Sequence, residues 1–121
     1  TYLEKAGMIG LLHDDTSGIR NLGKIEKAYI DNPSLMTVLA GGTPDIGNLC
    51  ETFFYNQMRV RNKVIASRQS DFVIGKYTFE IGGRKKGKQQ IEGLDNAYIV
   101  KDDIEIGHGN IIPLWCFGLN Y

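Results

Sequence analysis

Cysteine, proline and histidine are scarce in this chain, and neither sign of charge prevails. The 121 residues hold two cysteines, three prolines, two histidines and one tryptophan, and fourteen Lys and Arg balance fourteen Asp and Glu. Cys50 and Cys116 stand far apart without Cys-x-x-Cys or Cys/His spacing, which leaves neither a zinc framework nor a disulfide scaffold and favours two reduced, packed thiols. His13 and His108 lack a carboxylate or thiol at a recognised ligand spacing, so they read as surface or structural histidines. The even charge balance exerts no overall pull toward nucleic acid or anionic membrane, and any DNA contact has to be local. No apolar run approaches the roughly 18 residues of a membrane span, and the opening residues lack a secretory pattern. A cytoplasmic chain with no membrane partner is therefore expected.

With 42% hydrophobic and 23% charged residues, the length suits one compact core. Thr1 to Ala6 reads as the last turns of a helix stopped by Gly7, as in a fragment of a longer chain. Met8 to Leu12 follows as a short apolar strand, then a polar turn from His13 to Gly18 that is wing-like, then a strand at Lys27 to Ile30. Asp31-Asn32-Pro33 offers an N-cap with proline near the first helical position, which places a helix over Ser34 to Ala40. A second helix opens near Asp45 and runs to about Arg61, with Ile46, Leu49, Cys50, Phe53, Phe54, Gln57 and Met58 on its apolar face. Further strands are expected at Lys63 to Ser67 and Asn96 to Val100, with a closing apolar stretch from Ile111 to Tyr121. Tyr77, Phe79, Tyr98, Trp115 and Phe117 alternate with apolar residues, a pattern of packing rather than base stacking. Mixed helices and strands of this order favour an α/β or α+β sheet with helices packed on it.

The most informative segment is Ser70 to Gly83, SDFVIGKYTFEIGG. Gly75-Lys76 suits a two-residue turn with glycine first. Counting outward, Ile74 faces Tyr77, Val73 faces Thr78, Phe72 faces Phe79, and Asp71 lands across from Glu80. Cross-strand carboxylates repel unless something offsets the charge. A Mg²⁺ or Mn²⁺ ion would do so, because small hard cations take one or two carboxylates together with water and phosphate oxygens. The alternative is a pair of solvated carboxylates screened by Arg84 or Lys85. Glu51, near the middle of the second helix, either turns toward the hairpin as a third carboxylate or faces water beside Tyr55.

Downstream, Gly82-Gly83-Arg84-Lys85-Lys86-Gly87-Lys88 has the GxxxxGK spacing of a phosphate-binding loop. Gln89 stands where a serine or threonine hydroxyl should meet Mg²⁺, so no ATP site is expected in this chain. Two readings of the basic residues stay open. They form a solvated loop, or Arg84, Lys85, Lys86 and Lys88 hold a nucleic-acid backbone through salt-dependent contacts.

Tyr2 to Ile9, Lys27 to Asn32 with Leu35 and Leu39-Ala40-Gly41, Gly47 to Phe54, Ser70 to Val73 and Phe79 to Ile81 together resemble the region after the ATPase core in bacterial and archaeal AAA-type ATPases. The resemblance spans about Tyr2 to Tyr121 and implies a restriction-endonuclease-like fold: a mixed central sheet with flanking helices. In that fold an aspartate and a Glu-x-Lys motif bind Mg²⁺ for phosphodiester hydrolysis. Carried over, Asp71 and Glu80 would be metal ligands and catalytic carboxylates, and Glu51 an assisting one. Gly82 stands where the motif has lysine, so Lys85, Lys86 or Lys88 would have to reach in from the loop; losing one charge-stabilising group typically costs about 10²–10³ in rate. The expected organisation is the end of a winged-helix-like segment over residues 1–24 and the nuclease-like domain over 25–121. Three functional readings follow: a degenerate accessory domain contacting DNA or protein beside its ATPase, an active Mg²⁺-dependent nuclease, and a purely structural docking domain.

Overall fold

Short polar side chains at two breaks in the apolar pattern set where the longer helices begin. The computed structural model describes residues 2–14, 25–82 and 91–119. Asn32 Oδ1 accepts the N–H of Ser34 at 2.8 Å and Pro33 takes the first helical position of a helix over Pro33–Leu39. Asp45 Oδ1 accepts the N–H of Asn48 at 2.9 Å and opens the helix Ile46–Met58. Each cap satisfies a backbone donor that has no partner inside its helix. With the opening turn Tyr2–Lys5 as α1, these two helices are α2 and α3. Gly7, at φ +73°, ends the opening segment in the left-handed conformation that glycine adopts without a Cβ penalty.

The strands are β1 (Ile9–His13), β2 (Ile25–Ile30), β3 (Val64–Ala66), β4 (Phe72–Ile74), β5 (Tyr77–Gly82), β6 (Ala97–Lys101) and β7 (Ile111–Pro113). They form one seven-stranded sheet in the order β2-β1-β3-β4-β5-β6-β7. Neighbours are antiparallel from β1 to β2 and from β3 through β5, and parallel at β1–β3, β5–β6 and β6–β7. The fold is thus α+β, with a mixed sheet and flanking helices. The boundary expected at residue 24 falls outside the described residues. On either side of it β1 and β2 are paired, and β1 also meets β3, so the opening strand belongs to the same sheet as the later ones. The closing stretch divides into β7 and a 3-10 helix, Leu114–Leu119, because Pro113 has no N–H to extend a ladder.

One face of the sheet carries the main core. Phe54 and Tyr55 of α3 meet Leu12, Tyr29, Phe72, Phe79, Ile81 and Val100. The Phe54 ring lies 5.3 Å from Phe72, 5.1 Å from Phe79 and 4.9 Å from Phe117. The opposite face buries Ile91, Ala97, Ile99 and Ile111 against Leu94 and Ile104. The buried side of α3 is rotated from the expected stripe: Cys50, Thr52, Phe54 and Tyr55 are buried, whereas Ile46 is exposed. The reason lies in β1. A Cβ at Gly10 would fall 2.5 Å from Tyr55 Cε1, so glycine opens the space that lets the ring settle on the strand. There the Tyr55 hydroxyl donates to Leu11 O at 3.0 Å.

Candidate carboxylate site of the hairpin

The hairpin forms in the register that the Gly75-Lys76 turn dictates. Phe72 pairs with Phe79, Val73 with Thr78 and Ile74 with Tyr77, and Gly75 has φ +59°. The ladder then departs from the expected continuation. Instead of a direct Asp71–Glu80 pair, the Asp71 N–H donates to Phe79 O at 3.2 Å, and Asp71 Oδ2 accepts the N–H of Ile81 at 2.7 Å. Successive N–H groups on a strand point to opposite neighbours. Thr78 N–H donates toward β6, to Asn96 O, so the Ile81 N–H points the other way, toward β4. Beyond the last paired residue of β4, the Asp71 carboxylate takes the place of a ladder carbonyl. Electrostatic avoidance and a free donor act in the same direction, drawing Asp71 onto the backbone and away from a face-to-face pairing.

Glu80 is 0% exposed. It pairs in register with Ile99, which places it on the sheet face opposite α3, while its neighbours Phe79 and Ile81 face the helix. The Ser70 hydroxyl lies within hydrogen-bond reach of Glu80 Oε2 and, at 3.0 Å, of Phe79 O. A hydroxyl carries one proton and serves one of these acceptors at a time. A carboxylate removed from water needs such partners, because an uncompensated buried charge is costly.

Glu51 takes neither of the two positions expected for it. Its Oε2 accepts from Lys27 Nζ at 3.0 Å and from the Tyr29 hydroxyl at 3.0 Å, with the side chain 13% exposed. Burial pushes the Tyr29 phenol well above its ordinary range, and the charge and hydrogen bond of Glu51 add to that, followed by the charge of Asp71. Glu51 and Glu80 therefore sit on opposite sides of the sheet. Among the described residues no group of three or more His, Cys, Asp or Glu converges as a metal cage. Arg84, Lys85, Lys86 and Lys88, the expected phosphate contacts, lie outside the described residues, as does the GxxxxGK segment beyond Gly82.

The structure adds a residue that the sequence order concealed. Gly82 pairs with Lys101 across the parallel β5–β6 ladder, and laterally paired residues share a face. Lys101 therefore projects on Glu80's side of the sheet, one strand over from the position that holds lysine in Glu-x-Lys. Only the pairing of two distant strands brings it there, and no local pattern around Lys101 signals it.

No family model, curated protein or solved structure matches this chain. The aromatic residues otherwise pack as their alternation implies: Phe79 and Tyr98 are 5.9 Å apart, and Tyr77 and Tyr98 6.0 Å. Trp115 departs from that pattern and is 56% exposed, because the 3-10 helix that carries it turns away from the strand alternation. Cys50 and Cys116 are both free thiols, Cys50 buried and Cys116 half-buried.

Proposed function

We propose that this chain is a non-cleaving, restriction-endonuclease-like accessory domain of an AAA-type ATPase, serving contact with DNA or protein. The observation that carries the reading is the employment of the hairpin carboxylates. Asp71 caps the Ile81 N–H and Glu80 is fully buried beside Ser70, roles that hold a hairpin together and compete with metal ligation. Gly82 in place of the motif lysine points the same way. The winged-helix-like origin of the opening residues belongs to this proposal too, as does the ATPase as covalent partner.

A second reading has one observation in its favour. Lys101 lies beside Gly82 on Glu80's face, where an ammonium would stabilise charge on a phosphodiester oxygen while Asp71 and Glu80 held Mg²⁺ or Mn²⁺. One experiment separates the two. Plasmid and single-stranded DNA incubated with the chain and Mn²⁺ should stay intact, and Asp71→Asn and Lys101→Met should change nothing. Metal-dependent cleavage lost in both variants would replace the first reading by the second. DNA affinity measured against salt tests the basic residues: Lys85→Ala and Lys88→Ala should each reduce the salt slope by about 1. Unchanged slopes would remove DNA from the proposal and leave protein contact.

A further inference from the structure

A pocket of about 320 Å³ opens between the start of α2, the middle of α3 and the 3-10 helix. Pro33, Leu49, Phe53 and Leu114 supply apolar walls, Asp102 contributes a carboxylate, and Trp115 stands at the edge. Its size and lining are those of a small-ligand or side-chain site, mostly apolar with few polar groups. It lies apart from the hairpin carboxylates and owes nothing to the nuclease-like reading.

Three features define what would fit. The Trp115 indole is 56% exposed, and its Nε1–H donates to Glu105 O at 3.3 Å, which fixes the ring plane. Asp102 is half-buried and makes no ion pair among the described residues. The Cys50 thiol, in the same lining, is pushed up to about 11, first by burial and then by the charge of and hydrogen bond to Asp102, with Asp45 and Glu51 adding to the effect. Asp102 is thus the one charged side chain among the described residues that line the pocket.

We infer that this pocket receives an arginine side chain from a partner protein, with its methylene stem on Leu49 and Phe53, its guanidinium on Asp102 and its flat face against Trp115. An arginine meets all the demands at once. Its stem is apolar, its planar fork matches a carboxylate and its face stacks on indole. A neutral ligand of the same shape would leave the carboxylate uncompensated, and an anion would be repelled.

Trp115 is the only tryptophan in the chain, so its emission reports directly on the pocket. The test titrates the full chain with Nα-acetylarginine amide and, in parallel, with Nα-acetylcitrulline amide, which keeps the shape and lacks the charge. Arginine should give a saturable change in Trp115 emission with half-saturation on the order of 1 mM; citrulline should give none. Asp102→Asn should raise the arginine half-saturation by about tenfold or more, a change of roughly 1.4 kcal/mol. An equal response to both compounds, the absence of a saturable response, or an unaltered affinity in folded Asp102→Asn would each overturn the inference. Should that variant fail to fold, the comparison of arginine with citrulline on the unaltered chain decides the matter.

Discussion

Replacing Asp71 by alanine removes the acceptor that extends the hairpin ladder past Phe72, and the sign of its effect distinguishes a structural carboxylate from a strained metal ligand. Ile81 is 1% exposed and its N–H donates to Asp71 Oδ2 at 2.7 Å. A hydrogen bond to a charged group contributes about 1.5–3 kcal/mol, and a buried donor left without a partner costs a similar amount. Asp71→Ala should therefore destabilise the fold by about 2–3 kcal/mol in metal-free buffer. Were Asp71 held chiefly as a repelled neighbour of Glu80, its removal would relieve like-charge strain and stabilise by about 0.2–1 kcal/mol. Asp71→Asn keeps an acceptor oxygen and should lose about half as much as alanine. Equilibrium urea unfolding gives the answer directly. With a slope of about 1–3 kcal/mol per molar, the midpoint of Asp71→Ala should fall by roughly 1 M. A midpoint that stays put or rises would refute the capping role and, with it, the main support for a non-cleaving hairpin.

Other perturbations test the packing that positions the hairpin. Gly10→Ala forces a methyl group to within 2.5 Å of both Tyr55 Cε1 and Arg59 Nη1. The arginine can move but the buried ring cannot easily, so a loss of about 1–3 kcal/mol is expected, measured by urea midpoint. Phe54→Ala empties the centre of the ring cluster and should cost about 3–5 kcal/mol, lowering the thermal midpoint accordingly. Alkaline stability follows from three raised acids, the Cys50 thiol and the Tyr29 and Tyr55 phenols, each lifted first by burial. The thiol moves from 9.0 to about 11. The folded state then holds these protons more tightly than the unfolded state, so stability is full below pH 9 and falls as pH rises toward 11. Urea midpoints taken across that window should decline, and Cys50→Ala should make the decline shallower.

What the sequence made legible was local. The register of β4 on β5 follows from turn arithmetic, because a two-residue loop leaves only one pairing and glycine accepts the φ of +59° at Gly75. The Asn32 and Asp45 caps were readable for the same reason, since donor and acceptor are two or three residues apart. The hairpin's last pair was not. Whether Asp71 faces Glu80 or turns onto the Ile81 N–H is decided beyond the end of β4, where ladder counting no longer constrains it. The partners of Glu51 lie on β2, more than twenty residues away, and Tyr55 is buried because a glycine on β1 makes room for it. Lys101 meets Gly82 only through a parallel pairing. Trp115 read as packed because strand alternation was extended into a segment that is a 3-10 helix.

The alternation of side chains along β5 also limits the chemistry that the site can support. Phe79 and Ile81 face α3, and Glu80 faces the other way. Bringing Glu80 to Glu51's side would require a one-residue slip that turns both apolar side chains away from Phe54. Losing the burial of two large apolar side chains costs about 3–6 kcal/mol, a large share of the roughly 5–15 kcal/mol that holds a domain folded. A centre built from Glu51, Asp71 and Glu80 together is therefore opposed by the core itself. Lys101 meets no such obstacle, since it already shares Glu80's face through the Gly82 pairing. Any hydrolysis by this hairpin would run through Asp71, Glu80 and Lys101, with Glu51 replaceable by glutamine without loss of rate. That makes Lys101→Met and Glu51→Gln a paired control: cleavage lost in the second variant and kept in the first would contradict the sheet geometry.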